Sequence, residues 1–146
     1  MKKSYILFLA TALALSTAAC SKKDDPTTTT VETTDLTATI NGAQQVPANN
    51  SAATGTFVGV YTARTKQLSY TITYQGMTPT VAHIHVGVPG ASGQVAIPFS
   101  QLTSPITGTA TLTADLADKL LNNGMYVNMH STAFANGEVR GDIKKK

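Results

Sequence analysis

The chain has 146 residues, 42% of them hydrophobic and 13% charged, with eleven basic residues against eight acidic ones and one cysteine. Lys22, Lys23 and Lys144 to Lys146 gather basic charge toward the ends, so no basic face remains for nucleic acid. A single cysteine excludes an internal disulfide.

In chain order, residues 1–19 read as a signal peptide: two lysines, an apolar run from Tyr5 to Leu15, then small residues. Cys20 follows Ala18-Ala19 and resembles the lipidated cysteine of bacterial lipoproteins, with Thr17 where that pattern prefers leucine. Removing Lys2 and Lys3 with the leader takes the eleven basic residues to nine against eight acidic ones, a balance of +1. Residues 20–33, SKKDDPTTTTVETT after the cysteine, are charged and then threonine-rich, and read as a flexible tether. The charges next to Cys20 resemble the export signal of surface lipoproteins in Bacteroidetes. The expectation is therefore a protein anchored through Cys20 in the outer membrane or at the cell surface.

Residues 34–146 have the size of one small domain. Leu36, Ala38 and Ile40 alternate in DLTATI, Val58 and Val60 in TFVGVYT, and Leu68, Tyr70, Ile72 and Tyr74 in QLSYTITY. Alternation predicts strands with one buried face. TARTK reads as a hairpin connection, VAHIHV and QVAIPF flank the loop GVPGASG, and TGTATLT follows. TADLADKLLNNG places Leu116, Leu120 and Leu121 at helical spacing, with Thr113 as N-cap and Gly124 past the end. MYVNMHS and EVRGDI close the chain as strands. The expected class is all-β: a Greek-key sandwich or barrel of about eight antiparallel strands with one short helix.

The three histidines fall on two of these strands. Ala82, Ile84 and Val86 take the core side of AHIHV, which turns His83 and His85 to the other face. Val127 and Met129 take it in YVNMH, turning Tyr126, Asn128 and His130 outward. Val139 and Ile143 take it in EVRGDI, turning Glu138, Arg140 and Asp142 outward. If the strands are neighbours, His83, His85 and His130 meet as a three-nitrogen metal site, and Asn128, Glu138 and Arg140 support it or bind a ligand. Imidazole suits copper and zinc, and an open fourth position is left for water or a substrate. The competing reading is a hydrogen-bond network in which Glu138 and Arg140 pair with each other and with the histidines, holding the GVPGASG and STAFANG loops.

NGAQQVPANNSAATGTF, YQGMTPTVAHIHVGVPGASGQV and NNGMYVNMHSTAFANGEVRGDI, in this order, resemble the CHRD domain. Met129 and Ser131 stand where many members have an aliphatic residue and threonine. The resemblance implies a β fold in an extracellular setting and no established reaction. A more distant similarity joins His83-Ile84-His85 and Asn136-Gly137-Glu138-Val139-Arg140 to copper/zinc superoxide dismutases. It implies copper on His83, His85 and His130 with Arg140 drawing an anion to the open position, but no fourth histidine is present to bridge to zinc.

Three functions follow as expectations. One is a lipid-anchored binding module holding one transition metal, copper before zinc. Another is a surface adhesion module with a protein or glycan partner and no metal. The third is a mononuclear copper redox enzyme. No Ser/His/Asp set or phosphate-cradling loop is present, so no catalytic residue is assigned.

Overall fold

A computed structural model describes residues 30–146, so the expected signal peptide, Cys20 and most of the tether lie outside the described residues. Nine strands are joined in the order β5-β4-β7-β8-β1-β2-β3-β6, with the short β9 paired to β1. They are β1 (Thr33–Asn41), β2 (Thr54–Thr62), β3 (Gln67–Gln75), β4 (Val81–Val86), β5 (Val95–Pro98), β6 (Ile106–Thr111), β7 (Met125–His130), β8 (Val139–Asp142) and β9 (Lys144–Lys145). Every pairing is antiparallel. One sheet curls into a nearly closed barrel, which realises the barrel form of the expected fold. At the open seam Tyr70 of β3 reaches Phe99 just after β5, with ring centroids 5.3 Å apart.

The core lies inside the barrel. Leu36, Ile40, Leu68, Ile72, Ile84, Val127, Val139 and Ile143 are fully buried, and each falls on the face its alternation predicts. Strand β2 is the exception. Val58 is 54% exposed, whereas Phe57 and Tyr61 are buried, so this strand presents the opposite face to the one its valines suggest. The aromatic pair removes more apolar area from water than two valines do, and that difference sets the face. Gly59 makes room for it, since a Cβ there would stand 2.8 Å from the Phe57 ring.

The helix α1 covers Ala114–Leu121 and is N-capped by Thr113, whose hydroxyl accepts from the Leu116 N–H at 3.2 Å. Leu120 and Ala117 turn into the core. Asn123, at φ 57°, takes the left-handed position after the helix, and the Gly124 N–H then closes on the Lys119 carbonyl at 2.8 Å. Gly124 thus stands past the end of the helix, as its position in the sequence predicts, with Asn123 making the left-handed turn before it.

Candidate metal centre

Strands β4, β7 and β8 are adjacent, as the polar pattern requires. Their register puts His83 opposite Asn128 and Asn128 opposite Arg140, in one cross-strand row. The next row joins His85 to Tyr126 and Tyr126 to Asp142. Paired residues share a face, so the histidines, Tyr126, Asn128 and Arg140 all leave the barrel on the side away from the core.

That side is not open to solvent. Asn128 is 3% exposed, Tyr126 4%, Glu138 6% and Arg140 1%, so the face expected to point away from the core does so but is covered and not a surface cluster. Two loops and the segment after β1 lie over them and supply their partners. Asn128 donates to Gln45 Oε1 and to the Val139 carbonyl, both at 3.0 Å. Arg140 donates from Nε to Asp142 at 2.8 Å, from one terminal nitrogen to the Ala91 carbonyl at 2.8 Å, and from the other to the Val88 carbonyl at 2.9 Å. Buried polar groups persist only where such partners exist.

Glu138 and Arg140 do not pair. Arg140 forms its ion pair with Asp142, while Glu138 accepts from the Ser51 hydroxyl at 2.6 Å, and the Asn49 amide holds the Glu138 carbonyl at 2.9 Å. The reason is the reach of the 42–53 segment, whose Gln45, Asn49 and Ser51 plug the end of this face. Glu138 therefore has a partner on that segment and not on a histidine. Arg140, with each nitrogen committed to the 87–94 loop or to Asp142, acts as a loop clamp, unlike the anion-attracting arginine implied by the dismutase similarity.

The three histidines do converge. The His83 ring centroid lies 5.2 Å from that of His85 and 5.5 Å from that of His130, both near edge-on. One ring nitrogen from each residue falls within 4.8 Å of the other two. Donors about 2.0–2.1 Å from a shared ion stand about 3.3–3.5 Å apart, so a small closure of the rings forms the site.

Tautomers are set by the backbone. His85 Nδ1 lies 3.0 Å from the Gly93 carbonyl, and His130 Nδ1 lies 2.9 Å from the Ala135 carbonyl. A carbonyl only accepts, so each Nδ1 carries the proton and each Nε2 keeps its lone pair. His85 Nε2, His130 Nε2 and His83 Nδ1 are buried without any hydrogen-bond partner. Anchoring one nitrogen while freeing the other is how metal-binding histidines are oriented.

Glycines permit this arrangement at two places. A Cβ on Gly93 would overlap the Val86 carbonyl, so only glycine lets the loop bring its carbonyl to His85 while its N–H donates to the Tyr126 hydroxyl at 3.2 Å. Gly137 has φ +116° and lies against the Gln45 and Asn128 amides, where any side chain would be both strained and blocked.

Burial holds the His83 imidazole below its usual range, and the neighbouring His85 and His130 push it the same way. His85 is lowered as well, chiefly by burial; its Gly93 bond opposes the shift, while His130 and Arg140 add to it. Both rings are thereby kept neutral and able to donate a lone pair. Tyr126 stacks on His85 at 4.9 Å and 7°, and the Arg140 guanidinium lies 3.6 Å from the Tyr126 ring centroid. A cavity of about 140 Å³ opens beside the cluster, walled by His85, His130, Tyr126, Asn128, Arg140 and Gln45 with Ser92 and Asn136. A larger depression, about 370 Å³, lies over Thr39, Thr56 and Thr73, and no histidine lines it. Size does not locate the chemistry here; unpartnered nitrogens do.

Gln45, Asn49 and Ser51 and the stacking role of Tyr126 went unread in the sequence as parts of this centre. A run of amides and hydroxyls in QQVPANNS was the available signal, since such a run signals side chains that seek buried carbonyls.

Fold and centre together define a barrel-like β domain with a histidine cluster held under two loops. The CHRD domain model matches residues 36–143, and the chain belongs to that family. No curated protein and no solved structure matches the chain.

Proposed function

We propose that this protein is an extracytoplasmic CHRD-domain binding module that holds one transition-metal ion, copper before zinc, on His83, His85 and His130. The observation that carries this reading is the convergence of His83, His85 and His130, each offering a ring nitrogen within 4.8 Å of the others and each keeping one buried ring nitrogen without a partner. Leaving such groups without a partner costs stability, and one bound ion satisfies all of them. A hydrogen-bond network alone accounts for the two carbonyl-anchored nitrogens and leaves the other three unexplained. The ion keeps an open position toward the 140 Å³ cavity, which admits water or a small ligand. Cys20 supplies a lipid anchor in the outer membrane, and the residues before β1 act as its tether.

Titration of the full chain, without a polyhistidine tag, tests the centre. Copper binds at one equivalent, and His83→Ala, His85→Ala and His130→Ala each weaken it greatly. Stoichiometric binding that survives the His130 change, or none near neutral pH, rejects the three-histidine centre. A Cys20→Ser variant that still fractionates with membranes as the parent does rejects the anchor.

A further inference from the structure

We infer that this centre retains copper as the monovalent ion, because its three donors are uncharged imidazoles, each with one buried unpartnered nitrogen, near the Arg140 guanidinium and with no carboxylate among them. The inference rests on the copper reading above and adds the oxidation state that the site selects.

The donor set comes first. The group of potential ligands contains histidine only, although four acidic residues stand elsewhere in the described strands and helix. The two carboxylates nearest in the sequence of β8 are committed: Asp142 to the Arg140 Nε at 2.8 Å and Glu138 to the Ser51 hydroxyl at 2.6 Å. Asp142 is engaged by the guanidinium and is not among the possible ligands of an ion. Any metal charge in this cluster is therefore uncompensated by the protein.

The anchors of the ligands point the same way. A carboxylate behind a histidine strengthens it as a donor and supplies negative charge to the complex. Here the anchors are neutral carbonyls, those of Gly93 and Ala135. The buried Arg140 guanidinium lies 3.6 Å from the Tyr126 ring centroid and disfavours added positive charge at His85, which stacks on the same ring at 4.9 Å.

Charge then decides between ions of the same element, because the donor nitrogens are out of solvent although the rings that carry them are half-buried. The cost of placing an ion in a medium of low polarisability rises with the square of its charge, so a dication costs about four times as much as a monocation of equal size. Cu(II) and Zn(II) both bring two charges into this site and Cu(I) brings one. Three nitrogen donors also complete a trigonal Cu(I) shell, whereas a tetrahedral Zn(II) site needs a fourth ligand. Imidazole by itself does not choose between the two states of copper; the missing counter-charge does.

The experiment compares the two oxidation states in one protein. The full chain carrying Cys20→Ser, which removes the only thiol, is titrated with Cu(I) under anaerobic conditions against a bicinchoninate competitor, and with Cu(II) against nitrilotriacetate. Cu(I) is expected to bind at one equivalent about a hundredfold or more tighter than Cu(II). Ser92→Asp and Asn136→Asp place a carboxylate at the cavity wall on exposed loop positions, without touching a histidine. Each is expected to shift the preference toward Cu(II) by about tenfold, while Ser92→Asn leaves it unchanged. Equal or tighter binding of Cu(II) overturns the inference and leaves the copper centre standing, and so does a preference that neither aspartate moves. Failure of both ions to bind overturns the centre and the inference together.

Discussion

The two halves of the barrel treat the outside of the sheet in opposite ways. On β1, β2, β3 and β6 the outward residues, among them Thr39, Thr56, Thr71, Thr73, Thr107 and Thr109, stand in water. On β7 and β8 the corresponding side is roofed, and Tyr126, Asn128 and Arg140 lie almost wholly out of solvent. Threonine needs nothing above it, because water satisfies its hydroxyl and its branched Cβ suits the strand. A buried guanidinium or amide needs a roof that brings acceptors. The contrast shows that long loops on one half are a requirement of its polar residues, and that the unsatisfied nitrogens lie under that roof.

The largest effect should come from removing the clamp. Arg140→Met strands the Val88 and Ala91 carbonyls and Asp142, and is expected to cost about 3 kcal/mol or more in chemical denaturation. Thr71→Ala on the exposed half should stay within about 0.5 kcal/mol. Similar losses would erase the distinction between the halves.

A second test sets the two faces of one strand against each other. Ile84 is fully buried inside the barrel, so Ile84→Ala should cost about 2–4 kcal/mol through the cavity it leaves. His85→Ala on the roofed face gives up one carbonyl anchor and a stacked ring, and should cost about 1 kcal/mol without metal. If the histidine change is the costlier, the roofed face holds the fold more than the core does.

Acid should act on the roofed half alone. His83 and His85 are lowered in the folded state, so the unfolded chain binds protons first. Their contribution is complete above the unfolded value near about 6.5 and is lost as pH falls below it through the depressed folded values. Denaturation midpoints of the metal-free protein should drop between about pH 7.5 and about pH 5, and a His83→Gln/His85→Gln double variant should flatten that drop. An unchanged slope would place the acid response elsewhere.

The smallest effect belongs to the threonine rows. Thr56 and Thr73 share a hydrogen bond at 2.8 Å on the exposed side, and Thr56→Val should shift stability by less than about 0.5 kcal/mol. A loss above about 1 kcal/mol would show that this half also depends on polar pairing.

Much of this was legible in the sequence, for identifiable reasons. Alternation in DLTATI and QLSYTITY gave the correct faces because one side of each strand is apolar and the other polar. TFVGVYT misled because both sides carry apolar residues, and only volume decides between Phe57 with Tyr61 and the two valines. The convergence of His83, His85 and His130 followed from the strands being neighbours. The bonds of Arg140 to the Val88 and Ala91 carbonyls, and of Glu138 to Ser51, were not legible: these partners depend on where loops close, and periodicity carries no information about loops. The same limit concealed the roof, since a residue that leaves the core side of a strand can meet either water or another segment.

The carbonyl anchors of His85 and His130 carry one further consequence. Gly93 belongs to the loop between β4 and β5, and Ala135 to the loop between β7 and β8. An ion shared by the two rings would tie together segments far apart along the chain, and through them both halves of the roof. For a chain with a single cysteine, this is the topological equivalent of a cross-link. It restricts the unfolded ensemble as a closed loop does, can be installed after folding, and can be withdrawn by a chelator without breaking a covalent bond. Resistance of the two loops to a protease should therefore rise and fall with the metal supplied to the protein.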